Sequence, residues 1–207
     1  MEAVLEVYAR PYDPFYPVVN LDESPKQLLS AVRKGFVDSQ GIEYEDYEYK
    51  REGTVDMYML VEALGGRREV LIKDKHDRLN YAQVIAHIAE KMYPDAQCIT
   101  LVEDNLSAHK LSALYEVFPP TRARAIAQRI EIVRTPKHGS WLNIAEAELS
   151  VLERQALRKK FATKQALEEQ VKAWYEHRNQ KMKKVDWQFK TEEARIKLKK
   201  LYPTFKA

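Results

Sequence analysis

The sequence predicts an α/β domain in which a mixed five-stranded sheet carries helices on its faces. Three observations predict it. Apolar runs of strand length recur at residues 18–21, 54–64, 68–73, 98–102 and 130–133. Two of them, 54–64 and 68–73, are separated by Gly65 and Gly66 and read as an antiparallel hairpin. The others are divided by stretches with apolar residues at helical spacing, which act as crossovers and bring in parallel neighbours.

Taken in order, residues 1–17 hold Pro11, Pro14 and Pro17 among aromatics and read as an extended lead-in without a helix. Residues 18–21 form a short strand ending at Asp22. Residues 25–33 have helical composition, and 37–50, polar, acidic and rich in tyrosine, read as a loop. After the hairpin, Tyr81, Val84, Ile85, Ile88 and Met92 mark a helix. The strand at 98–102 runs into Glu103 and Asp104. Helices are expected over 111–118 and 121–129, split by Pro119 and Pro120, and the strand at 130–133 stops before Pro136. A strong helix runs from Ser140, its expected N-cap, to about Leu157, with Trp141, Ala145, Leu149, Leu152 and Ala156 on one packing face. Leu167, Val171 and Trp174 mark another over 164–178, and a last helix falls near 191–201. This order of strand, hairpin, helix, strand, helices, strand and helix is that of a ribonuclease H-like fold.

The 207 residues are 45% hydrophobic and 31% charged, enough apolar material for one domain with a helical appendage. No window approaches 18 uninterrupted apolar residues, so no transmembrane helix is expected. The N-terminus carries acids where a secretion signal needs bases. The single cysteine, Cys98, excludes a disulfide or multi-cysteine zinc framework and fits a reduced, cytosolic protein. Charge is unevenly spread. Residues 151–207 hold 16 Lys and Arg against 7 Asp and Glu, a net +9, whereas residues 1–150 hold 18 against 24, a net −6. An acidic front half and a basic tail suit a metal-dependent enzyme acting on a polyanion. A solvated helical tail would have the same composition.

The chemistry concentrates in three segments: ValValAsnLeuAspGluSer at 18–24, ThrLeuValGluAspAsn at 100–105 and TrpLeuAsnIleAlaGlu at 141–146. Two are strand runs that deliver an acid to a sheet edge, and the third sets an acid on the opening turn of a helix. Carboxylates gathered from separate elements, without a cysteine or histidine cluster, suit hard ions such as Mg²⁺ or Mn²⁺. A pair of such ions stabilises the attacking and leaving oxygens of a phosphoryl displacement. Asp22, Asp104 and Glu146 are the leading candidates. Pattern alone does not separate Glu146 from Glu148, Asp22 from Glu23, or Asp104 from Glu103. Around them, Asn105, His109, His138 and Asn143 are candidates to orient an acid or touch a phosphate, or else to cap turns and hold loops. Lys110, Lys137, Arg158, Lys159 and Lys160 are candidates for DNA phosphate contacts. Tyr44, Tyr47 and Tyr49 are candidates for base stacking or for loop packing.

Several blocks make the chain similar to the catalytic domain of bacterial insertion-sequence transposases of the mariner superfamily, the insertion sequence 630 group of DDE endonucleases. They are AspGluSerProLysGlnLeu at 22–28, AspAsnLeuSerAlaHisLys at 104–110 and ThrProLysHisGlySerTrpLeuAsnIleAlaGlu at 135–146. The segments at 46–54, 185–189 and 194–203 extend the resemblance along essentially the whole chain. It implies a retroviral-integrase-like member of the ribonuclease H-like fold with an Asp22, Asp104, Glu146 triad holding two Mg²⁺ or Mn²⁺. The implied reaction is DNA cleavage at transposon ends followed by strand transfer, in this superfamily at a TA dinucleotide. Glu103 stands where the family usually carries an apolar residue and adds negative charge beside Asp104. Relatives carry helix-turn-helix modules ahead of this domain. Here the expected division is a catalytic core over 1–160 and a basic helical extension packed on it over 161–207, with the N-terminal module absent. The implied partners are transposon-end and target DNA, a second copy or larger synaptic complex, and a separate helix-turn-helix polypeptide, in a prokaryotic cytoplasm at the nucleoid. The rival expectation is a non-catalytic DNA-binding remnant that modulates a full-length transposase.

Overall fold

The computed structural model of the protein describes residues 1–202 apart from 34, 45–47 and 138. Seven strands are described: β1 (Val18–Ala31), β2 (Phe36–Val37), β3 (Glu43–Tyr44), β4 (Tyr49–Glu62), β5 (Arg67–Lys73), β6 (Ile99–Glu103) and β7 (Ile130–Arg134). Five form one sheet in the order β5-β4-β1-β6-β7, and β2 and β3 pair in a separate ribbon. Strands β1, β4 and β5 are antiparallel neighbours, whereas β6 runs parallel to both β1 and β7. The hairpin between β4 and β5 closes through Gly66, whose φ of +71° favours glycine and where a Cβ would stand a tight 3.0 Å from the main chain of Met182.

Helices cover both faces. They are α1 (Glu2–Tyr8), α2 (Arg78–His87), α3 (Leu114–Val117), α4 (Pro120–Ala127), α5 (Ile144–Ala156), α6 (Lys164–Gln180) and α7 (Thr191–Lys197). On one face Met57, Met59, Val61 and Val102 pack with residues of α1, α5, α6 and α7, among them Leu152, Leu167 and Ala194, all 0% exposed. On the other, Val19, Leu21, Tyr58, Leu60 and Leu101 pack with α2, α3 and α4. This alternation is the two-residue period of a strand. Helix α5 lies across β4 and β1, and α6 lies against β5. Among the described residues no helix is long and apolar enough to cross a membrane.

The structure corrects five expectations. Residues 1–17 do contain a helix, α1, because Val4, Leu5, Val7 and Tyr8 all reach the core and the prolines begin only after it. Residues 25–31 are strand, not helix. Beyond the last β1–β6 pair, Asn20 with Val102, β1 has β4 on one side and, among the described residues, no strand on the other, a setting in which a strand accepts Pro25. Pairing along β4 then overrides helical composition. The N-cap of α5 is Asn143, not Ser140, which opens a separate tight turn over Ser140–Leu142. That turn lifts Trp141 off the core stripe. It is 44% exposed and stacks over Trp187 with ring centroids 6.4 Å apart. Strand also begins earlier than expected in the second long run, at Tyr49.

Helix α1 is tied to the rest by the Tyr8 hydroxyl, which reaches Asn20 Oδ1 on β1 and, at 2.7 Å, the Leu142 carbonyl ahead of α5. Asn20 is fully buried, so deleting its donor leaves a desolvated acceptor. We expect Tyr8→Phe to lower stability by about 1–3 kcal/mol in urea unfolding. An unchanged midpoint would show that the Tyr8 hydroxyl adds nothing to the hold on α1.

Candidate active site

Strands β1 and β6 are parallel neighbours at the centre of the sheet, in register from Val18 with Thr100 to Asn20 with Val102. The same offset carried two residues further would set Asp104 opposite Asp22, and Asp104 is among the charges that act on it. Side-chain parity then separates each acid from its neighbour. Asp22 pairs with Met59, which packs on the α5 face, whereas Glu23 pairs with Tyr58, which packs on the opposite face. Val102 belongs to the α5 face and Leu101 to the other. Glu103 accordingly turns away from α5, to the Tyr81 hydroxyl at 2.9 Å.

Helix α5 reaches this edge through Asn143. Its side-chain oxygen accepts the Ala145 N–H at 3.1 Å, and its amide nitrogen donates to the Leu21 carbonyl at 2.8 Å. One buried residue thus caps the helix and pins it to β1 next to Asp22. Glu146 stands in the first turn, where the helix dipole favours negative charge.

The acids act on one another. Burial pushes the Asp22 carboxyl up to about 7, and the charges of Glu23, Asp104 and Glu146 add to the rise against one opposing hydrogen bond from the Glu23 N–H. Each competing acid has a partner of its own. Glu148 accepts from Arg68 at 2.8 and 3.0 Å and from Arg178 at 2.9 Å. Glu103, pushed up to about 7 by burial, has Tyr81 and, at 3.4 Å, Arg134. Its charge therefore sits across the sheet from Asp22. Glu23 pairs with His109 Nε2 at 2.7 Å. Among the described residues, Asp22, Asp104 and Glu146 have no lysine or arginine partner. Carboxylates that act on one another with no lysine or arginine facing them, Asp104 having the His109 imidazole beside it, fit a hard divalent ion, which would supply further positive charge.

The supporting candidates fall in different places. His109 is 1% exposed, stacks on Tyr81 at 4.7 Å, and brings Nδ1 to 3.2 Å from Asp104 Oδ1. Burial alone would lower its pKa, but the bond to Glu23 and the charges of Glu23, Glu103 and Asp104 raise it. Donor atoms of Glu23, Asp104 and His109 lie within 4.8 Å of one another, close enough to share a metal ion. Asn105 holds the loop rather than Asp104, donating to the Thr135 carbonyl at 2.6 Å. His138 lies outside the described residues, as does Tyr47. Lys110 and Lys137 are exposed on the two loops flanking the acids. Arg158, Lys159 and Lys160 follow the far end of α5, about 15 Å or more along its axis from Glu146. Sequence reasoning did not single out Arg134, which donates to the Asp104 carbonyl at 2.9 Å and the His109 carbonyl at 2.7 Å. Its signal is its place opposite Glu103 in the parallel β6–β7 register.

The sheet order, its mixed sense and the helices on both faces define the ribonuclease H-like fold. Solved structures of the Mos1 mariner transposase share it. The Mos1 paired end complex with Mn matches at a TM-score of 0.58 and 16% identity, over 88% of this chain and 54% of that one. The Mos1 strand transfer complex matches at a TM-score of 0.55 and 15% identity, over 88% and 56%. This chain therefore spans about half the length of the transposase chains it matches. The profile of the DDE superfamily endonucleases matches residues 17–168, and the chain belongs to that family. No curated protein is significantly similar to it in sequence.

An acid whose carboxyl is raised in the folded state binds its proton more tightly there than in the unfolded chain. Asp22 thus costs stability as pH rises from its unfolded value near 4 to about 7, and the full cost stands above that. We expect Asp22→Asn to stabilise the metal-free protein at pH 8 by about 1–2 kcal/mol, a few °C in Tm, with the gain shrinking toward pH 4. Thermal melts at several pH values with chelator present test this. A gain independent of pH would remove the electrostatic explanation.

Proposed function

We propose that this chain is the catalytic domain of a transposase that cuts and rejoins DNA strands in cut-and-paste movement, with insertion at TA. Asp22, Asp104 and Glu146 are its metal-holding acids. The observation that carries the reading is the action on Asp22 of the like charges of Asp104 and Glu146, with no lysine or arginine paired to any of the three among the described residues. Two Mg²⁺ or Mn²⁺ per site, when bound, supply the charge neutralisation and oxygen activation that phosphoryl transfer requires. The chain's own residues do the rest. Asp22 gives up its proton to bind metal, so metal affinity rises with pH through about 7. Asn143 holds Glu146 over β1. Arg134, Asn105 and His109 hold the loop that presents Asp104. Lys110 and Lys137 stand where a DNA phosphate would enter, and Arg158, Lys159 and Lys160 extend a basic track away from the site.

The division proposed with this reading is a catalytic core over 1–160 and a basic extension over 161–207, whose α6 and α7 pack into the same core as α5. Solved relatives hold paired transposon ends, which supports DNA as partner and a dimer or larger synaptic assembly. A helix-turn-helix polypeptide would supply recognition of the ends. The setting proposed is the prokaryotic cytoplasm at the nucleoid.

Nicking of supercoiled plasmid tests the reading. Wild-type protein should nick with Mg²⁺ or Mn²⁺ and not with chelator, and Asp104→Ala should reduce the rate at least about a hundredfold. Equal rates in both proteins would overturn the assignment. DNA binding without cutting by the wild type would favour a regulatory remnant instead.

A further inference from the structure

We propose that the end of α6 is a positioning clamp for Glu146. Arg178 and Asn179, with Arg68 and Glu148, fix the rotation of α5 and so the approach of Glu146 to Asp22 and Asp104. The inference rests on the reading of those three acids as metal-holding residues.

The clamp has two grips. Arg68 on β5 is 1% exposed, and its Nε and Nη2 donate to the two carboxylate oxygens of Glu148. Arg178 on α6 adds a bond to Glu148 Oε1 at 2.9 Å. Asn179 holds the main chain of Arg68, accepting its N–H at 2.8 Å and donating to its carbonyl at 2.7 Å. The last turn of α6 therefore fixes both the buried arginine and the acid that the arginine holds. Arg178 and Asn179 lie beyond the family match, which ends at residue 168.

The direction of the pull gives the network its function. Helix α5 lies over β4 and β1. Glu148 and Glu146 are two residues apart, about 200° around the helix. Glu148 points to β5 and α6 on one side, and Glu146 acts on Asp22 on the other. The apolar contacts of Leu149, Leu152 and Ala156 hold α5 down on the sheet, but burial is non-directional and leaves its rotation soft. A forked arginine–carboxylate pair is directional. A rotation of α5 that moves Glu146 must break bonds of Glu148, and the converse holds as well.

The test is Mn²⁺ binding to the full chain, read from the loss of the free-ion electron paramagnetic resonance signal, beside plasmid nicking and DNA binding in chelator. Arg178→Ala, Asn179→Ala and the pair should weaken Mn²⁺ binding about tenfold or more and slow nicking. DNA affinity should stay within about twofold, and Arg178→Lys should recover part of the loss. Arg122→Ala, which breaks an exposed pair with Glu90 on the opposite face, should leave Mn²⁺ binding unchanged. If Arg178→Ala fails to fold, Asn179→Ala and Arg178→Lys carry the comparison. Wild-type Mn²⁺ affinity in the folded clamp variants, with Asp22→Asn losing it, would overturn the clamp alone. Wild-type affinity in Asp22→Asn as well would overturn the underlying reading of the acids and the clamp with it.

Discussion

Strand β1 sends its side chains alternately into two different cores, and that alternation governs everything built at its end. Val19 and Leu21 are committed to the layer of α2, α3 and α4. Asn20 and Asp22 are thereby committed to the layer of α5, one as a buried polar link to α1 and the other as a half-buried acid. A slip of one residue against β4 would put Leu21 among the acids and Asp22 into an apolar core. The burial of Val19 and Leu21 is what fixes the register, so apolar packing across the sheet sets the position of a charge on its other side.

The arrangement concentrates negative charge and then declines to neutralise it from within. The arginines near the sheet edge are spoken for by other groups. Arg68 and Arg178 hold Glu148, and Arg134 holds two loop carbonyls and faces Glu103. The amide dipoles at the start of α5 bring positive potential to Glu146. Glu103 and Glu148, which have strong partners, sit on the far face and behind α5, whereas Asp22 and Glu146 have no lysine or arginine partner among the described residues and Asp104 has the His109 imidazole beside it. This sorting separates the acids more clearly than their individual positions in sequence do.

Much of the architecture was legible in the sequence because it rests on periodicity. The hairpin with its glycine turn, the strands ending at Glu103 and Arg134, and the helices around Val84 and Leu167 follow from alternation and helical spacing alone. What escaped depended on partners distant in sequence. Residues 25–31 look helical until the length of β4 is known, and α1 exists only because its four apolar residues meet α5 and α7. The acids at the strand ends were visible as candidates. The preference for Asp22 over Glu23, or Glu146 over Glu148, came from family resemblance, because neighbouring acids differ in parity and pairing and composition records neither. Asn143 was readable as a possible cap, but its second bond, to Leu21, joins residues 122 apart.

The parallel ladder between β1 and β6 is only three residue pairs long. On one side of that seam lies a meander, β1, β4 and β5, made from a contiguous stretch of chain with short-range contacts. On the other lie β6 and β7, with α2 before β6 and α3 and α4 between β6 and β7 along the chain. Asp22 comes from the first half, Asp104 from the second, and Glu146 from a helix that follows both. The acids are therefore 82 and 42 residues apart along the chain, and their mutual repulsion is met only where pairing across the seam and docking of α5 are both in place.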